Sequence, residues 1–188
     1  MPFSHSSQLS TIVGYLENLS PKSILDVGTG MGQYGFLART NLELLNLFEV
    51  TGSNARRRDK SEWLVTIDGI EGYPDYVTQV HDYAYNNMYL GDALSILPGL
   101  DKQYDMVLAI DILEHFTKAE GFTFLEHLKS VSRHEVLIST PKDFCQQEVE
   151  ANPLENHRSV WSDADLNSAG FVTTLPNETS WISVYRKT

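Results

Sequence analysis

Apolar positions along this chain alternate between a helical and an extended rhythm. Leu9, Ile12, Val13, Leu16 and Leu19 recur at helical spacing, predicting an amphipathic helix over residues 6–19 that Ser20-Pro21 ends. Residues 23–27 (SILDV) then read as a short strand that runs into a glycine loop. Residues 32–50 carry Phe36, Leu37, Leu42, Leu44, Leu45, Leu47 and Phe48, predicting one long helix or a pair. Residues 51–62 (TGSNARRRDKSE) lack any period and read as a surface loop. Residues 63–70 (WLVTIDGI) predict a second strand, and residues 73–85 a helix opened by Pro74.

Residues 87–90 are a third short strand, and the apolar run over 104–110 (YDMVLAI) suits a strand buried on both faces. Thr117 and Glu120 have capping-box spacing ahead of a helix bearing Phe122, Leu125, Leu128 and Val131. Residues 136–139 form a fifth strand, and 171–175 with 181–185 flank a PNET turn as an antiparallel pair. Strands alternating with helices imply an α/β domain with a mainly parallel sheet and helices on both faces. Ligands bind such sheets at the carboxyl ends of the strands. There the pattern breaks into unusual residues, at 26–28, Glu71, Asp92, 111–115 and from Thr140 onward.

Composition narrows the function classes. The 188 residues fit one domain, and 41% apolar with 21% charged residues suits a folded globular chain. The longest unbroken apolar run, residues 106–110, is far short of a membrane span, and MPFSHSSQLS lacks the order of a secretory signal. A lone cysteine, Cys145, excludes an internal disulfide and a paired-cysteine metal knuckle, pointing to a reducing, cytoplasmic setting. The formal net charge of −11 has the wrong sign for gripping a phosphate backbone, which argues against a nucleic-acid substrate. Arg56, Arg57 and Arg58 are the only basic run, and His81, His127 and His134 do not cluster at ligand spacing, so no metal site is expected.

The glycine loop, ILDVGTGMGQYG over residues 24–35, satisfies two patterns. Gly28, Gly30 and Gly32 follow Asp26 in a GxGxG arrangement, whereas Gly30, Gly32 and Gly35 fit the GxGxxG of dinucleotide sites. A pyrophosphate would be repelled by the neighbouring Asp26 carboxylate, and a ligand with an amino or sulfonium cation would gain from it. No Gly-Lys-Ser/Thr follows, which excludes a nucleotide-triphosphate P-loop.

ILDVGTGMG resembles motif I of the class I S-adenosylmethionine-dependent methyltransferases, and further landmarks come in that family's order. DGIEG (68–72) resembles the second-strand motif, GDA (91–93) the adenine motif, YDMVLAIDILEHF (104–116) the fourth-strand motif and VLISTPK (136–142) the fifth strand. NPLENHRSVWS (152–162), with a later Gly-Phe pair, is similar to the tail of some small bacterial members. The resemblance spans nearly the whole chain and implies a single methyltransferase domain over residues 1–188. It implies a Rossmann-like, seven-stranded sheet ending in an antiparallel pair, with S-adenosyl-L-methionine as cofactor. By that resemblance Asp26 lies near the methionine amino group, through water or backbone, and Gly28, Gly30 and Gly32 let the cofactor approach closely. Glu71 accepts the ribose hydroxyls, with Asp68 as its rival, and Asp92 takes the adenine amino group with Ala93 and Leu94 against the ring, unless Asp92 only caps the following helix.

For the acceptor, His115 in Leu-Glu-His is a candidate general base, and equally a residue that only seats the loop. Asp111, also a candidate cofactor contact, and Glu114 are placed to orient the acceptor or the imidazole, unless Glu114 simply opens the next helix. Residues 141–161 are long for a connection in a compact domain, which marks a lid or substrate loop. In it His157 is an alternative base, and Arg158 a holder of an anionic substrate, unless they only fasten the loop. No Pro-Pro-aromatic turn or Pro-Cys nucleophile of the base-modifying enzymes is present, so a small-molecule acceptor is expected. The rival readings are a nicotinamide-dependent oxidoreductase using Gly30, Gly32 and Gly35, and a non-catalytic cofactor-binding subunit whose acceptor side residues 141–161 plug.

Overall fold

Alternating side chains along the central strands build two cores. In the computed structural model, which describes Ser4 and residues 6–187, strand β1 (Ser23–Val27) sends Ile24 to one cluster and Leu25 with Val27 to the other. Strand β6 (Tyr104–Ile110) does the same, with Met106, Leu108 and Ile110 opposite Val107 and Ala109. The first cluster is covered by helices α1 (Leu9–Leu19), α2 (Gln33–Glu43) and α3 (Gln79–Ala84), through Ile12, Leu16, Tyr34, Ala38 and Ala84. The second is covered by α4 (Ala93–Ile96), α5 (Lys118–Val131) and α6 (Asp163–Ser168), through Ala93, Phe124, Leu125, Leu128 and Leu166.

Strands β4 (Thr66–Glu71), β5 (Asn87–Leu90) and β7 (Ser132–Pro141), with β8 (Val172–Leu175) and β9 (Ser180–Arg186), complete a seven-stranded sheet ordered β5-β4-β1-β6-β7-β9-β8. The first five run parallel, and β9 pairs antiparallel with both β7 and β8. The expected mainly parallel sheet with a closing antiparallel pair is therefore present. All the loops that carry the unusual residues leave the carboxyl ends of β1, β4, β5, β6 and β7. Among the described residues no helix is long and apolar enough to cross a membrane.

Several local expectations give way. Residues 51–62 are not a structureless loop: β2 (Phe48–Thr51) and β3 (Asn54–Arg57) form a separate hairpin. Its residues are almost all exposed, so it carries no buried alternation to read, and Arg56 pins it through Glu49 (2.6 Å) and Glu62 (2.8 Å). The helix expected over 73–85 breaks, because Pro74 starts only a 3-10 turn and Val77 is extended. Thr78 then caps a new helix, with its Oγ1 accepting from Val80 N and its own N donating to His81 Nδ1. The capping box at Thr117 and Glu120 forms and opens α5. Helix α6 begins at a capping box of Ser162 and Asp165 that had no apolar period to announce it.

Gly35, the third glycine of the dinucleotide pattern, has a structural task. A Cβ there would lie 2.0 Å from Tyr85 Cζ, and Tyr85 is fully buried. Helix α2 can approach α3 this closely only without a side chain at that position. Gly35→Ala is expected to destabilise the fold by about 1–3 kcal/mol in denaturant unfolding, while Gly99→Ala, with open space at its Cβ, stays within about 0.5 kcal/mol.

Candidate active site

The turn after β1 is tied to the end of β4. Gly28 N (2.9 Å) and Thr29 N (3.2 Å) both donate to Ile70 O, and Gly30 N donates to Glu71 Oε2 at 2.8 Å. Gly28, Gly30 and Gly32 all have left-handed backbones, with φ of 76°, 53° and 80°. A Cβ at Gly28 would also strike Ile112 Cδ1 at 2.6 Å, so that position is doubly bound to glycine. Glu71 is clamped further by Thr29 Oγ1 (3.2 Å) on Oε2 and Tyr73 N (2.9 Å) on Oε1. Burial pushes its pKa up, against the pull of these donors.

This loop opens onto a cavity of about 630 Å³. Gly28, Gly30, Glu71, Asp92 and Ala93 line one part of it. Asp92 caps α4, taking Ser95 N (3.1 Å) and Ser95 Oγ (2.8 Å) both on Oδ2. Asp111, Glu114 and His115, after β6, line another part with His157 of the 141–161 segment. Asp111 has a left-handed φ of 50°; its carboxylate accepts from Gln8 Nε2 (2.5 Å) and Ser139 Oγ (2.6 Å).

Glu114 does not open a helix. It sits in its own 3-10 turn, Leu113–His115, and α5 starts only at Lys118. Its side chain is 4% exposed and accepts from Thr140 Oγ1 at 3.0 Å. Burial and the nearby Asp111 charge push its pKa up to about 8. His115 is half-buried, and burial lowers its pKa.

Asp26 lies beneath the loop and not on the cavity wall. It is 2% exposed and accepts from Tyr85 Oη at 2.6 Å. Gly32 also sits behind the loop, its virtual Cβ 3.2 Å from His81 Cε1. Of the three dinucleotide-pattern glycines only Gly30 reaches the cavity, and its N–H is already occupied by Glu71. Asp68, the rival for the ribose role, is fully buried and bonded to Tyr104 Oη (2.7 Å), Asn87 Nδ2 (2.9 Å) and Lys102 Nζ (2.6 Å).

No protein-family model matches the chain, and no curated protein matches it. Solved structures do. Magnesium protoporphyrin IX methyltransferase from Synechocystis, with S-adenosylhomocysteine bound, aligns over 96% of this chain and 82% of its own, at TM-score 0.63 and 17% identity. TehB from Haemophilus influenzae aligns over 95% and 62% respectively, at TM-score 0.65 and 10% identity. An O-methyltransferase family protein from Burkholderia thailandensis aligns over 94% and 55%, at TM-score 0.61 and 12% identity.

The chain has the class I methyltransferase fold.

Within this methyltransferase fold the 141–161 segment forms the cavity's outer wall, with Asn152, Leu154, Glu155, His157 and Arg158 on it. Leu154 packs onto Gly72, where a Cβ would lie 2.7 Å from its Cδ1. Arg158 pairs with Glu120 at 3.0 Å, so its charge is already answered. Trp161 is 1% exposed and packs on Gly121, anchoring the segment in the core rather than facing the cavity. Asn152 and Glu155 also line this wall; both are buried, Asn152 accepting from Leu154 N and Glu155 from Gln147 Nε2, in an aperiodic segment that gives no local signal for them.

The buried Asp26 has a consequence for stability. Burial, with Glu71 adding to it, raises its pKa from 3.8 to about 6 despite the Tyr85 and Gly35 bonds. The folded chain thus holds this proton more tightly than the unfolded chain. The Asp26 contribution is full below the unfolded pKa and is lost as pH rises through about 6, a difference on the order of 3 kcal/mol. Wild-type unfolding free energy minus that of Asp26→Asn is expected to fall between pH about 4 and about 7 in denaturant titrations. A difference independent of pH contradicts the assignment.

Proposed function

We propose that this protein transfers a methyl group from S-adenosylmethionine to a small-molecule acceptor. The observation that carries the reading is the pairing of Glu71 and Asp92, at the ends of adjacent strands, on one cavity with the glycine turn. A carboxylate at each position suits a ligand with a diol and an exocyclic amine: Glu71 for the ribose hydroxyls, Asp92 for the adenine amino group. Gly28 and Gly30 give the backbone its close approach, and Ala93 offers a small apolar wall. Asp26 acts from below, holding Tyr85 against α2 and adding negative potential beneath a cationic amino acid.

The cofactor supplies an electrophilic methyl carbon on a sulfonium; the chain's residues bind, orient and shield. Alignment of the acceptor alone is worth up to roughly 7–11 kcal/mol in favourable cases. The 141–161 segment lays Leu154 against Gly72 beside the cavity, and Trp161, buried on Gly121, anchors it, with Arg158 paired to Glu120. Glu114, His115 and His157 stand at the acceptor end. The concave cavity of about 630 Å³ and the net charge of −11 favour a small acceptor over a nucleic acid. The lone, exposed Cys145 suits a reducing cytoplasm.

The oxidoreductase reading loses support from the loop itself. A pyrophosphate needs free N–H groups at the turn, and Gly30 N is spent on the Glu71 carboxylate. The plugged-subunit reading fits less well, because the cavity stays continuous from Gly28 to His157.

Calorimetry with S-adenosylhomocysteine is expected to give micromolar binding, and with NAD no heat of binding. Glu71→Ala should weaken that binding ~10- to 100-fold, since it removes a charged acceptor and loosens Gly30. Absence of binding to the intact protein contradicts the reading.

A further inference from the structure

Three potential ligands meet at the acceptor end of the cavity. One ligating atom each from Glu114, His115 and His157 lie within 4.8 Å of one another, and the two imidazole centroids are 5.1 Å apart at an interplanar angle of 58°. They come from two loops, and the backbone brings them together. Glu114 O accepts from Arg158 N at 2.8 Å and Ser159 N at 3.1 Å, which staples the segment carrying His157 against the turn carrying His115.

The surroundings set the protons. His115 Nδ1 lies 3.3 Å from Asn156 O, and His157 Nδ1 lies 2.6 Å from Cys145 O. A carbonyl only accepts, so each Nδ1 carries the hydrogen and each Nε2 keeps its lone pair. A backbone carbonyl on the far ring nitrogen fixes each imidazole's orientation and leaves the other nitrogen to a metal. Glu114 is a buried carboxylate with no salt bridge among the described residues, held by Thr140 Oγ1. Asp111 is committed to Gln8 and Ser139 and so supports the turn without joining the set.

We propose that Glu114, His115 and His157 bind a divalent transition-metal cation that holds the acceptor's oxygen. Two imidazoles and one carboxylate suit zinc, cobalt, manganese or iron rather than calcium, which wants more oxygen ligands. Ligands about 2.0–2.2 Å from such an ion lie roughly 3.0–3.6 Å apart at octahedral or tetrahedral angles, so side-chain rotations that draw the set together by about an ångström complete the site. Three protein ligands leave positions open, and all three residues face the cavity.

The substrate class follows if the methyl-transfer reading holds, on which this part rests. The acceptor is then a hydroxyl compound whose oxygen the cation makes acidic near neutral pH. Its O–H bond breaks with the proton passing to solvent; the oxygen's electron pair forms the new O–C bond. The methyl C–S bond breaks, its pair returning to sulfur as a neutral thioether.

Chelator-treated full-length protein, titrated with cobalt(II) and followed by visible absorption and calorimetry, tests the site. Wild type is expected to bind one ion with ligand-field bands of low-symmetry cobalt. His157→Ala and the near-isosteric Glu114→Gln should bind it at least ~10-fold more weakly. Cobalt should raise the melting temperature of wild type and not of the variants. Equal cobalt binding by wild type and His157→Ala, or no saturable binding by wild type, overturns the proposal. S-adenosylhomocysteine binding measured on the same samples separates the two readings. Its retention in His157→Ala shows the variant folded, and its absence from a cobalt-binding wild type removes the methyl-transfer reading while sustaining the metal site.

Discussion

Three hydrogen bonds between the glycine turn and the end of β4 hold the site together. Gly28 N and Thr29 N converge on Ile70 O, and Gly30 N takes Glu71 Oε2. The left-handed backbones at Gly28 and Gly30 let these donors face β4 rather than solvent. Once the turn is fixed, Glu71 is fixed, and the cavity opens between the turn and the loops that follow β5 and β6. The same bond that orients the acid occupies the Gly30 N–H and puts a carboxylate at the turn. One contact therefore fixes both the turn and the acid that line the pocket.

Burial on the two faces of the sheet has different consequences for the charged groups. On the α1–α3 face Asp26 is enclosed by Tyr85 and α2, and burial holds its pKa near 6. Arg39 is buried on this side too, with donors on Glu43, Val65 O, Ala84 O and Asn86 and its guanidinium 3.8 Å from the Trp63 ring. Both are satisfied groups whose removal would leave partners unpaired. Glu114, at the other end of the cavity, accepts from the Thr140 hydroxyl, and burial with the nearby Asp111 charge pushes its pKa up to about 8.

The elements that bury two faces or carry a cap were legible in the chain. Strands β1 and β6 are apolar runs, and Thr117 with Glu120 announces α5. The hairpin of β2 and β3 was not, because strands with almost no buried face carry no alternation. The site divides the same way. Glu71, Asp92 and the glycines sit at strand ends that the pattern marks. Long-range pairings leave no local trace: Tyr85 on Asp26 is 59 residues away, and His157 reaches His115 through backbone bonds to Glu114. The histidine spacings that argued against a metal concern His81, His127 and His134, while the fold gathers a different set.

The central claim is that one cavity holds a nucleoside between Glu71 and Asp92 and presents its reactive end to Glu114, His115 and His157. A structure of the protein crystallised with S-adenosylhomocysteine tests this most directly. The ribose hydroxyls are expected on Glu71, the adenine amino group at Asp92 and the sulfur directed toward the two imidazoles. Ligand density outside this cavity, or a nucleoside whose ribose does not touch Glu71, would contradict it.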